Sequence, residues 1–151
     1  MRLRVKLFHL WFLLRRPMTL GVRGVVFDAG RRSVLLVRHT YVAGWQLPGG
    51  GVEADETAAD ALARELEEEG AIRLTGPAEL RSFHLNRQFS RRDHVLVYLV
   101  TGFEPVRTHQ PDREIAEAAF FPLEALPDGI TPATRRRLAE VFDGVPASAE
   151  W

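Results

Sequence analysis

The chain has 151 residues, 46% hydrophobic and 26% charged, a length and polarity that suit one globular domain and exclude wholesale disorder. It contains no Cys, so disulfide scaffolds, thiolate-ligated zinc, iron–sulfur clusters and thiol nucleophiles are all ruled out. Lys+Arg and Asp+Glu are both 20, which argues against a DNA partner held by a globally basic surface.

That balance conceals an asymmetry. Residues 1–40 carry nine basic side chains against the single acid Asp28, whereas residues 51–70 carry eight acids against Arg64. Such a division can set a cation site beside a wall that attracts anions, although mutual neutralisation across a surface would also account for it.

In chain order, Val5 to Leu14 is mostly apolar and is closed by Arg15, Arg16 and Pro17. It is too short to span a bilayer, which takes about 20 residues, and no small-residue cleavage site follows it. The expectation is an amphipathic helical extension over residues 1–17. Packing on its own domain or across a homodimer is the favoured role, and a membrane-surface contact the lesser one. With neither a signal segment nor a membrane span, the expected location is cytoplasmic.

Leu20 to Phe27 and Ser33 to Arg38 are rich in β-branched and aliphatic residues and flank a turn at Asp28–Gly30, so they predict a hairpin. A short strand at Trp45–Leu47 runs into the loop Pro48–Gly51. Glu56 to Glu69, free of Pro and Gly, predicts the strongest helix, with Asp55 as its N-cap and Gly70 as its stop. Strands are then expected at Ile72–Leu74, Leu80–Leu85, His94–Phe103 and Ala118–Phe121. A last helix follows at Thr131–Phe142, with Pro132 in its first turn. The order predicts a mixed sheet between helices.

On the central helix, Glu65, Glu68 and Glu69 fall within about 100° of one another, bordering the apolar stripe of Ala59, Leu62, Ala63 and Leu66. Like charges at i,i+4 cost roughly 0.2–0.5 kcal/mol per pair, and acids in the last turn oppose the helix dipole. A solvated acidic face is the ordinary fate of such a run. A hard divalent cation would also relieve the crowding, with carbonyls of the glycine loop as further ligands.

The segment Gly50 to Ile72 resembles the signature of the Nudix hydrolase family, G-x5-E-x7-R-E-U-x-E-E-x-G-U, in which U is a bulky aliphatic. Gly50, Glu56, Arg64, Glu65, Leu66, Glu68, Glu69 and Ile72 match, and Ala71 stands where the second glycine belongs. The resemblance implies an α/β/α sandwich over residues 18–145 that hydrolyses a nucleoside diphosphate linked to a further moiety. It implies that Glu65, Glu68 and Glu69 bind Mg²⁺ or Mn²⁺, with the Gly49 or Gly50 carbonyl completing the shell. Arg64 would orient the catalytic carboxylates, and Glu56 would brace the loop and helix.

Outside that segment, Arg23, Arg38 and Arg87 are candidates for holding phosphate. Tyr41 and Trp45 could stack on a base, or pack in the core. Glu114 and Glu117 could supply an extra acid, with Glu117 favoured. The five His show no paired-ligand spacing, and no Ser sits in a nucleophile elbow. Two alternatives accompany the small-nucleotide hydrolase: removal of pyrophosphate from RNA 5′ ends, and a fold that senses a nucleotide without cleaving it.

Overall fold

The computed structural model describes residues 3–151 and contains three α-helices and eight β-strands. Helix α1 spans Leu3–Arg15, strand β1 Thr19–Asp28, β2 Ser33–His39 and β3 Trp45–Gln46. Helix α2 spans Ala58–Gly70. It is followed by β4 (Ile72–Leu74), β5 (Glu79–Leu85), β6 (Asp93–Val100), β7 (Phe103–Pro105) and β8 (Ile115–Pro122). A 3₁₀ turn at Leu123–Ala125 leads to α3, Pro132–Phe142.

The main sheet is mixed, in the order β3-β2-β1-β6-β5, with β8 on the other edge of β2. Strand β1 runs parallel to β6 from Thr19↔Asp93 to Val26↔Val100. It meets β2 only at Phe27↔Val34 and Asp28↔Ser33, so the predicted hairpin is paired at its turn end alone. Beyond that point the glycine loop takes the edge that β2 leaves. Val22 N donates to Gly50 O at 2.9 Å, Gly24 N to Pro48 O at 2.9 Å, and Val52 N to Leu20 O at 2.8 Å.

Apolar residues cover both faces of the sheet. On one side, Ala61, Leu62 and Leu66 of α2 pack on Val22, Val26, Leu35 and Tyr98. On the other, Leu138 of α3 joins Val25, Val34, Leu36 and Val97. Alternate residues of β1 and β2 therefore serve opposite layers, which is why Ser33–Val37 is buried throughout. The result is the expected α/β/α sandwich.

Several boundaries differ from expectation. Thr57, not Asp55, caps α2: its side chain accepts from Asp60 N at 3.1 Å, while Asp55 adopts φ 63° in the turn before it. Glu56 consequently lies outside the helix and faces back along it. Gly70 is the last helical residue, and Ala71 takes the left-handed C-cap with φ 55°. The segment predicted as one strand from His94 to Phe103 breaks after Val100. Phe103–Pro105 instead pairs with Ile72–Leu74 in a separate two-stranded sheet.

Helix α1 forms as predicted but does not pack on the domain. It has no buried residue, and Phe8, Trp11 and Leu14 are 58%, 52% and 74% exposed. Its aromatic residues contact one another instead, with the Phe8 and Phe12 rings 5.5 Å apart. No described helix is long and apolar enough to cross a membrane.

Candidate active site

The glycine loop and the last two turns of α2 form the site. Gly49 adopts φ 144°, and a β-carbon there would collide with the Val22 carbonyl, so only glycine allows the loop to lie so close to β1. Gly49 N donates to Glu69 Oε2 at 2.8 Å. The Glu69 residue is only 7% exposed. Burial pushes its carboxyl up to about 7, although the Gly49 N–H and the Arg23 charge pull the other way.

Glu65 comes from the preceding turn, and its carboxylate rests against the bare Cα of Gly50. Arg64 joins the parts together. Its guanidinium donates to both oxygens of Glu56, at 2.9 and 3.1 Å, to Glu65 Oε1 at 2.8 Å and to Gly51 O at 3.1 Å. Its link to Glu68, the i+4 partner, is longer at 3.4 Å. These bonds hold Glu56 below the usual carboxylate range and raise Arg64 above its own ordinary value.

Glu65 and Glu69 line a cleft of about 360 Å³ together with Arg23, His39, Tyr41, Gly49, Gly50 and Glu114. Glu68 points elsewhere. Its side chain is 61% exposed, and it lines a shallow surface recess with Arg64, Glu67 and Arg107. Among the described residues, no three acidic or histidine side chains converge on a single point. The set that could hold a cation is therefore a carboxylate pair beside backbone oxygens. Gly49 O accepts from Arg23 Nη1, and Gly50 O from Val22 N. Each carbonyl retains a second lone pair, and hard oxygen donors around a buried carboxylate fit Mg²⁺ or Mn²⁺.

The remaining candidates divide. Tyr41 lines the cleft, its ring 5.3 Å from that of His39. Burial raises its phenol above the ordinary value. Trp45 lies in the core, 9% exposed, edge-on to Phe121 at 4.8 Å. Arg38 and Glu117 face each other across β2 and β8 in a 2.8 Å ion pair outside the cleft, with the Arg38 guanidinium over the Trp45 ring. The acid that the structure brings to the cleft from this region is Glu114. Arg87 pairs with Glu150 at 2.9 Å.

Sequence reasoning passed over His39. Its Nε2 stands 3.7 Å from Glu69 Oε1, its Nδ1 is buried without a partner, and burial lowers its pKa. No spacing in the chain announces it, because it arrives from the end of β2. Gln46 and Phe89 also line the cleft unannounced.

The NUDIX domain model matches residues 17–141. The chain belongs to the Nudix family. A Mycobacterium tuberculosis protein bearing the name mutator protein MutT4 is 38% identical over 129 residues, covering 84% of this chain and 49% of that protein. The RNA pyrophosphohydrolase of Halorhodospira halophila is 43% identical over 67 residues, covering 44% of this chain and 34% of its own. The chain thus spans about half the length, or less, of these curated relatives. The MutT Nudix hydrolase of Burkholderia pseudomallei superposes with a TM-score of 0.65 at 28% identity, over 82% of this chain and 98% of that one.

Proposed function

We propose that this Nudix domain hydrolyses a pyrophosphate bond in a nucleoside diphosphate linked to a further moiety, with Mg²⁺ or Mn²⁺ as cofactor. The observation that supports this most directly is the pairing of Glu65 and Glu69 against Gly49 and Gly50 in one cleft, beside the cationic Arg23. When bound there, the divalent ion would neutralise phosphate oxygens and acidify an attacking water.

The chain's own residues then have distinct tasks. Glu65 and Glu69 hold the cation, and Glu68 faces away from the cleft. Arg64 fixes Glu65 and the glycine loop through its bonds to Glu56, Glu65 and Gly51. Arg23, which lines the cleft, attracts the phosphates. Of the three carboxylates in the cleft Glu65 is engaged by Arg64, which leaves Glu69 and Glu114 to accept a proton from water. Tyr41, largely exposed at the mouth, is placed to contact the substrate.

Phosphate release is to be measured with Mg²⁺ and Mn²⁺ across nucleoside triphosphates, dinucleoside polyphosphates, nucleotide sugars and RNA bearing a 5′ triphosphate. Turnover of any of these that is lost in Glu69→Gln supports the reading. A preference for the RNA selects the RNA-end alternative, and binding with no turnover across the whole panel selects the nucleotide sensor.

A further inference from the structure

Two chain segments without an acid meet where α1 joins the domain. Residues 1–27 carry six cations before the first acid, Asp28, and residues 86–92 carry Arg87, Arg91 and Arg92. Thr19 N donates to Arg92 O at 3.0 Å, which holds the start of β1 against the turn between β5 and β6. Three residues separate that point from the end of α1. Met18, Leu20 and Phe89, all exposed, stand around one recess at this junction. Among the described residues, Arg4, Lys6, Arg15, Arg16, Arg91 and Arg92 have no carboxylate within 4.0 Å.

Helix α1 is apolar on more than one side. At 100° per residue, Leu3, Leu7, Leu10 and Leu14 form one stripe, while Phe8 and Phe12 lie roughly 150° around from it. All four leucines are more than half exposed. A seam for a second helix needs a single stripe, whereas apolar side chains on several sides need an apolar medium. The basic groups are already placed for a boundary. The Arg15 guanidinium lies over the Trp11 ring at 5.5 Å and that of Arg16 over the Phe12 ring at 5.2 Å, so each long cation covers an aromatic body and leaves its charge in water.

We propose that α1, Met18, Phe89 and the Arg91–Arg92 pair form one docking surface for an anionic lipid bilayer, with α1 lying in the plane of the headgroups. The 13 residues of α1 rise about 20 Å, short of the roughly 30 Å of bilayer hydrocarbon, so the helix rests on the membrane and does not cross it. A second copy would bring like charges together. The exposed acids of α2 on such a copy would match the charge but offer the leucines no apolar partner. RNA would supply phosphates and base faces, and again nothing for aliphatic side chains. An anionic bilayer supplies both the charge and the apolar medium. Because Phe89 also lines the carboxylate cleft, docking would bring the mouth of that cleft beside the headgroups. The surface stands whether or not the cleft hydrolyses a pyrophosphate.

The test is co-sedimentation of the full chain with vesicles of phosphatidylcholine, alone or mixed with phosphatidylglycerol. The chain should bind the mixed vesicles, leave the neutral ones in solution, and come off as salt rises. The mixed vesicles should also shift the tryptophan fluorescence to the blue, and Trp11→Phe should abolish that shift. Leu10→Ser combined with Leu14→Ser should weaken binding by about tenfold or more at an unchanged melting temperature. Arg91→Ala combined with Arg92→Ala, far from α1 in sequence, should weaken it by about fivefold or more. Arg135→Ala, which removes an exposed cation of α3, should have no effect. Sedimentation with neither vesicle, or equally with both, overturns the proposal. A dimer mass in light scattering without vesicle binding assigns α1 to a second copy instead, and tighter binding of a single-stranded RNA with a 5′ hydroxyl assigns the surface to RNA. Vesicle binding that the Arg91 and Arg92 changes leave intact, or that Arg135→Ala weakens as much, overturns the joint surface.

Discussion

The carboxylate of Glu65 occupies the space that a side chain on Gly50 would need: a β-carbon built there lies 2.6 Å from Glu65 Cδ. The glycine of the loop and the glutamate of α2 are therefore two halves of one fit, fourteen intervening residues apart. Because the obstructing group is the end of a flexible side chain, Gly50→Ala should cost little stability while displacing Glu65. Turnover and Mg²⁺ affinity should fall at least tenfold with a nearly unchanged melting temperature. Retained activity would show that the position of Glu65 is immaterial.

Glu69 is buried, whereas Glu67 on the same helix is half-exposed and 3.8 Å from Arg73. Glu69→Gln keeps the volume and the Gly49 N–H bond but removes the charge, so turnover should drop by orders of magnitude while the fold persists. Glu67→Gln should stay active. Mg²⁺ should raise the melting temperature of the wild type, because an ion that binds only the folded state stabilises it by mass action. The rise should vanish in Glu69→Gln. Equal behaviour of the two variants in steady-state assays would mean that the acidic run is only a solvated face.

The pH dependence of the metal-free protein follows from the same burial. Glu69 has its folded pKa raised from 4.5 to about 7, so the folded state holds a proton that the unfolded state gives up first. That contribution is full below about 4.5 and is lost as the pH rises towards 7, a decline of up to roughly 3 kcal/mol. Denaturant unfolding in chelator should show stability falling between these values, and Glu69→Gln should flatten the slope. Binding of Mg²⁺ near pH 6.5 should release protons, detectable in calorimetry run in buffers of different ionisation enthalpy.

At the end of α2 two small residues have separate jobs. A β-carbon on Gly70 would come 2.7 Å from Leu35 Cδ2, inside a packed core. Gly70→Ala should therefore destabilise by about 1–3 kcal/mol, as overpacking does. Ala71→Gly relieves the left-handed φ but exchanges that gain for a lost buried methyl, each about 1 kcal/mol, and should be close to neutral. Urea unfolding of the two variants distinguishes the roles.

Helix α1 contributes no buried side chain to the domain, so deleting residues 1–16 should leave the melting temperature unchanged. Its exposed Leu, Phe and Trp side chains, flanked by Arg4, Lys6, Arg15 and Arg16, should govern association instead. We expect the intact chain to show a larger mass in light scattering, or to sediment with anionic vesicles, and the shortened chain to do neither. Identical mass and no sedimentation for both would show that α1 has no such role.

The sequence alone determined the parts whose information is local. Hydrophobic periodicity marks most of the strands and both packed helices, and the spacing from Gly50 to Ile72 places the loop and the acids of α2 in relation to one another. Tertiary structure decided which of those acids share a cleft. Glu69 turns inward to the Gly49 N–H, whereas Glu68, one residue earlier and 100° around the helix, faces solvent. It also decided Trp45 for the core, Glu117 for Arg38 and Glu114 for the cleft. Those outcomes depend on β2 lying between β3 and β8, a pairing of segments some 80 residues apart. His39 and Phe89 reach the site by the same route: His39 sits at the end of β2 and Phe89 in the turn between β5 and β6, and both positions are aimed by sheet pairing, about which their own neighbours in sequence carry no information.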